Sequence, residues 1–158
     1  MGLTAYSYAQ VSDNFSINQS DLIIQQNGIF DEIKIIDSNF TDEIGNPQLP
    51  VKTVSYVLPY NSTVTEITIN SVAIQKLSET YYILPAQHTI FLDWSEPPPF
   101  VEPNPEIYNS NAPYPNKAVE IINDGYTHGY HVVTVAIYPV VYHPANREIF
   151  LREMKIFS

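Results

Sequence analysis

Tyr130-His-Val-Val-Thr-Val-Ala-Ile-Tyr138 decides the fold. Val133, Val135 and Ile137 fall on one side of an extended chain, and Val132, Thr134, Ala136 and Tyr138 fall on the other. Neither side carries much charge, so the segment is expected as a central strand of a sandwich. Downstream, Arg147–Phe157 alternates again and places Phe150, Met154 and Ile156 opposite Ile149, Leu151 and Phe157. Pro139 and Pro144 bound the sequence in between, which is expected as a turn before the final strand, because proline cannot donate a ladder hydrogen bond.

Upstream the same rhythm recurs. Val51–Pro59 mixes β-branched and aromatic residues and stops at a proline. In Thr63–Ile69, Thr65, Ile67 and Ile69 share one face, and Val72 and Ile74 continue the pattern beyond a bulge or bend at Asn70-Ser71. Weaker strands are predicted near Thr4–Val11, Asp21–Gln26, Ile29–Ile36, Tyr82–Leu84, His88–Phe91 and Ala118–Ile122. No long window shows a clean helical period, so helix is limited to a turn or two. Short strands between turn residues predict an all-β fold, an antiparallel sandwich or barrel-like sandwich.

One segment breaks this pattern. About residues 94–117 hold Pro97, Pro98, Pro99, Pro103, Pro105, Pro113 and Pro115, which favour extended backbone and exclude a central strand. Trp94, Phe100, Val101, Ile107, Tyr108 and Tyr114 give this stretch apolar anchors. It is expected as a long crossover on the sandwich surface or an arm reserved for a partner. Between Glu79 and Glu106 there are five acids and no Lys or Arg, so its approach is electronegative.

A chain of 158 residues suits one domain, predicted over 1–158, with roughly two-thirds of its unfolded surface buried. Seventeen acids against seven Lys and Arg give a net charge of -10. The bases are scattered, which argues against nucleic acid and anionic membranes and favours a basic protein surface. No cysteine is present, so disulfides, thiolate metal sites and a cysteine nucleophile are excluded. No run approaches the ~20 apolar residues of a membrane span. Met1 to Gln10 lacks the basic start and apolar stretch of an export signal. It reads as what remains after such a signal is cut away, with a native start whose Tyr6 and Tyr8 open a strand as the alternative.

Chemistry is sparse. His128 and His131 are an odd separation apart and cannot share a strand face, and no Glu follows in a zincin arrangement. There is no Gly-x-Ser-x-Gly elbow, and the chain has only five glycines, with no phosphate-cradling loop. Asp31-Glu32 and Asp42-Glu43 read as solvated turn residues, although folding can assemble a carboxylate pair on a sandwich. Asp37, Asn39 and Asp42 have part of the oxygen spacing of a calcium loop but lack its glycine and its closing Glu. No cofactor is expected, and a structural calcium is the only candidate ion. Twelve tyrosines and one tryptophan suit an interface, a sugar platform or ordinary cross-strand packing.

Three local signatures occur in order: Gly45-Asn-Pro47-Gln-Leu49-Pro50-Val51 leading to Val57-Leu58-Pro59, then Leu84-Pro85-Ala86-Gln87, then Val133–Ile137 leading to Pro139-Val-Val-Tyr142-His-Pro144. From about residue 20 onward, this series resembles the N-terminal propeptide domain of gingipain-type, caspase-like cysteine peptidases. The resemblance implies a non-catalytic prodomain, exported with its enzyme to the outside or surface of the cell. It would assist the enzyme's folding and hold it latent until removed by proteolysis. The catalytic cysteine and histidine would lie in a separate downstream domain, which is the implied partner, and the isolated fragment is expected to be a monomer. In family members a basic side chain approaches the specificity pocket. Lys117 is the candidate here, as the only base between Lys76 and Arg147, with Trp94, Phe100, Tyr108 and Tyr114 as partner-binding aromatics. A solvated lysine at a strand entrance is its plain alternative. For the whole chain, the alternative is a cell-surface adhesion or carbohydrate-binding sandwich without a cognate peptidase.

Overall fold

A computed structural model describes residues 12–62, 64, 67–91 and 95–157. Within them the chain runs through β1 (Ser12–Phe15), β2 (Leu22–Asn27), β3 (Phe30–Ile35), β4 (Asn39–Phe40), β5 (Pro50–Leu58) and β6 (Thr68–Lys76). A four-residue helix α1 (Pro105–Tyr108) follows, then β7 (Val119–Thr127), β8 (Tyr130–Ile137), β9 (Val140–His143) and β10 (Glu148–Phe157). The strands pair antiparallel, and the fold is all-β with very little helix.

The segment 130–138 is central as expected: β8 lies between β5 and β7, with β4 extending the same sheet at the start of β5. In the second sheet β10 pairs with β6 along one edge and with β9 and then β1 along the other. β2 and β3 form a separate hairpin closed by Gly28 and Ile29, with Gly28 at φ 64. β7 and β8 are joined by His128 and Gly129, both at positive φ (48° and 82°), the backbone that a two-residue hairpin loop needs to follow strand twist.

Alternation along β10 divides the core. Ile149 and Leu151 join a cluster with Ile33, Leu49, Ile83 and Tyr142. Met154, of opposite parity, joins Val133, Val135 and Ile137. One strand therefore supports two packed regions, which is why the last predicted strand is apolar on both sides. The expected bulge is present: Met154 pairs with Val72 and Ile156 with Ile69, leaving Asn70 and Ser71 opposite one residue.

Some expectations are corrected. Tyr82–Leu84 makes only a single parallel bridge, Asp31 to Ile83, because Pro85 follows. His88–Phe91 is irregular and exposed at all four residues, so neither of its sides has a surface to bury. Conversely, Pro139–Pro144, expected as a turn, contains β9, because both prolines flank the four ladder residues. The predicted strand Thr4–Val11 lies outside the described residues.

Candidate functional site

The three sequence signatures meet in space. The Gly45 amide donates to the Ala86 carbonyl and the Ala86 amide to the Asn46 carbonyl (2.9 and 2.8 Å), and the Gln48 amide donates to Leu84. Gly45 sits at φ +82, where a side chain is strained. The Pro-rich crossover then docks on this joint. The Asn104 amide donates to the Gly45 carbonyl at 2.8 Å. The Gln87 carboxamide accepts from the Val101 amide at 2.8 Å and donates to its carbonyl at 2.9 Å, as a neighbouring strand would. Gln87→Ala is expected to cost about 1–2 kcal/mol in urea unfolding and to speed exchange of the Val101 amide.

Further along, α1 turns Tyr108 inward. Asn104 caps this helix by accepting from the Glu106 amide at 3.1 Å. Tyr108 is 7% exposed and its hydroxyl donates to the Ile83 carbonyl at 2.7 Å. Burial pushes its phenol well above the ordinary tyrosine range. Tyr114 exchanges two backbone bonds with Tyr142, both 2.8 Å. Burial, with the nearby Glu43 charge next, pushes the Tyr114 phenol up to about 12. Phe100 caps an aromatic run from Tyr108 through Tyr82 to Phe30, yet half of it remains exposed.

Of the partner-binding candidates, then, Tyr108 and Tyr114 fasten the crossover to the body, Phe100 stays accessible, and Lys117 stands at the crossover's end. Trp94 lies outside the described residues.

Between the crossover, the 39–46 loop and the outward face of the β4–β5–β8–β7 sheet runs a groove of about 650 Å³. Val51, Ala136 and Tyr138 form its apolar floor. Lys117 is on the rim, 2.5 Å from Glu120 and 5.2 Å from the centre of the Tyr138 ring. The bond to Glu120 raises the lysine pKa, and the same bond holds the Glu120 carboxyl below its usual range. The pair's stabilisation is present above the ordinary carboxylate range and lost as pH falls, and its exposure keeps it small. Beneath the rim, the Arg152 guanidinium donates to the Lys117 carbonyl at 2.7 Å and to the Pro115 and Tyr138 carbonyls at 3.4 Å. Sequence reasoning missed Arg152, because its three acceptors are backbone oxygens from distant segments.

At the opposite end of the sheet, Ser62, His131 and Asp124 stand in line. His131 Nε2 is 2.6 Å from an Asp124 oxygen, and its Nδ1 is 3.4 Å from Ser62 Oγ. These are residue types of an acyl-transfer triad, but the geometry is that of a tie. The Ser62 hydroxyl donates to the Pro59 carbonyl at 2.6 Å, and the imidazole is only 2% exposed under the stacked Tyr126 ring. A nucleophile needs an accessible hydroxyl that gives its proton to the base. The calcium suspects are spread over a turn (Asp37, φ 56), the start of β4 (Asn39) and the groove rim (Asp42). Among the described residues no three His, Asp or Glu side chains form a metal-holding group.

The solved structure concerning zymogenic latency of gingipain K from Porphyromonas gingivalis matches with a TM-score of 0.77 at 23% identity, over 96% of this chain and 86% of that one. The complex of pro- and mature domains of RgpB from the same bacterium matches with a TM-score of 0.79 at 15% identity, over 98% and 81%. At these identities the likeness concerns the fold. No curated protein sequence matches the chain. The Propeptide_C25 family model matches residues 8–156. With that match spanning nearly all of the sandwich, the chain belongs to the Propeptide_C25 family, the non-catalytic propeptides of gingipain-type cysteine peptidases.

Proposed function

We propose that this chain folds as one unit, is exported ahead of its own cysteine peptidase domain, assists that domain's folding and covers its active-site cleft until proteolysis separates the two. The observation that carries this reading is the family match over residues 8–156. It is supported by the neighbouring folds, one concerning zymogenic latency in gingipain K and the other a complex of pro- and mature domains in RgpB. The crossover acts as a preorganised arm: Gln87, Tyr108 and Tyr114 hold it, so little ordering entropy is lost when it meets a partner. Phe100 and Lys117 are its contact residues, joined by Trp94.

The isolated chain, a monomer, should inhibit the matching mature peptidase stoichiometrically. A titration with neither inhibition nor a calorimetric binding signal would remove the latency role. In this reading Lys117 is the cation that enters an acidic specificity pocket, and to do so it must leave Glu120. Lys117→Ala is expected to weaken inhibition roughly tenfold, about 1.4 kcal/mol. An unchanged inhibition constant would make Lys117 a surface tie of β7 and nothing more.

A further inference from the structure

The β4–β5–β8–β7 sheet has two faces: the larger core lies against one, and the small cluster of Val51, Ala136 and Tyr138 lies at one end of the other. Inward, Val54, Tyr56, Leu58, Val133, Val135 and Ile137 pack together. Outward, register places Thr53, Ser55 and Val57 beside Ala136, Thr134 and Val132, with Glu120, Asn123, Gly125 and Thr127 on the β7 side. The wet face of an antiparallel sheet is ordinarily polar and charged. Among these outward positions the sole charge is Glu120, already bonded to Lys117 and to the Tyr138 hydroxyl. Val57, Tyr130 and the bulged Ile122 are 64%, 63% and 52% exposed there. Seryl and threonyl hydroxyls fill the space between, and Ser55 bonds Thr134 across the strands at 2.9 Å. Scarce charge and exposed tyrosine are the composition of an interface centre.

The margin has the opposite character. Asp42 and Glu43 are exposed on the loop that lines the groove on this face, in a chain of net charge -10. A second copy would bring the same net charge of -10 to this face, and like charges oppose such pairing.

We infer that the outward sheet face is the main docking surface of this propeptide, and that it receives a surface of its catalytic domain that is uncharged at the centre and basic at the margin facing residues 42–43. This rests on the reading that the chain binds its own peptidase. The arm and Lys117 then close one end of a contact whose area comes mostly from the sheet.

The experiment is inhibition of the mature peptidase by the whole chain carrying Val57→Glu, Val57→Lys or Tyr130→Ser, with Ile74→Glu as control. Ile74 is similarly exposed, at 62%, but lies on β6 in the other sheet. Both Val57 charges should raise the inhibition constant tenfold or more through faster dissociation. Tyr130→Ser should do the same without placing a charge on the strand, and thermal midpoints should show that all three remain folded. Ile74→Glu should act like the parent. If the parent chain neither inhibits nor binds, the latency reading fails and the docking surface with it. If the parent inhibits and the Val57 and Tyr130 variants match Ile74→Glu, the docking surface alone is wrong. A parent dimer that Val57→Glu dissolves with inhibition unchanged would assign the face to a second copy and also overturn the inference.

Discussion

Carried from neutral pH towards pH 12, the folded chain is expected to lose stability steeply, with most of the loss above pH 10. Burial pushes the Tyr142 phenol up to about 12, does the same to Tyr114, and raises Tyr108 further. An unfolded tyrosine ionises near 10. A raised folded value means that folding favours the neutral phenol. The stabilisation is therefore complete below about pH 10 and is lost as pH climbs towards the folded value. For Tyr142, which is 0% exposed, a rise of about two units is about 2–3 kcal/mol. Two such groups rival the whole stability of a small domain, about 5–15 kcal/mol. Urea unfolding at a series of pH values measures the loss, and the share of tyrosinate absorbance owed to the buried phenols, Tyr142 among them, should appear only with unfolding. Tyr142→Phe forfeits the 2.8 Å bond to the Tyr81 carbonyl, about 1 kcal/mol at neutral pH, but should flatten the alkaline slope by one proton. Equal slopes for parent and variant would contradict the assignment.

Tyr142 also shows where sequence reading stopped. The strand class, the central place of 130–138 and the bulge at Asn70-Ser71 could be read because each is a local alternation or its interruption. β9 could not, because a four-residue ladder between Pro139 and Pro144 looks like a turn until its partner is known. The crossover was legible as extended and aromatic, but not which aromatics faced in. Tyr108 and Tyr114 are committed by acceptors at Ile83 and Tyr142, far away in the chain. The short signatures worked as a set because Gly45, Asn46, Ala86 and Gln87 form one joint on which the crossover rests. Their spacing records that docking geometry rather than any reacting group. The groove has no sequence signal at all, since its walls come from residues near 42, 114 and 138.

Arg152→Ala is expected to unfasten the C-terminal end of the crossover while leaving the sandwich folded, at a cost of about 2–3 kcal/mol. The guanidinium is partly buried, and burial holds its pKa below the usual value, yet it meets carbonyl oxygens rather than a carboxylate. Its planar fork reaches Pro115, Lys117 and Tyr138 together. A lysine ammonium is compact and cannot span acceptors so arranged, so Arg152→Lys should recover only part of the loss. Hydrogen exchange separates this from general weakening. The Tyr138 amide, bonded to the Ala118 carbonyl at 2.9 Å, and the Tyr114 amide, bonded to Tyr142, should exchange faster. Amides along the β5–β8 ladder should keep their protection. Lys117 would then lose its fixed place on the rim, and inhibition by Arg152→Ala should weaken at least as much as by Lys117→Ala. Uniform acceleration of exchange across the chain would make Arg152 a prop of the whole sandwich. Weaker inhibition with exchange unchanged at Tyr114 and Tyr138 would mean that the crossover is held without it.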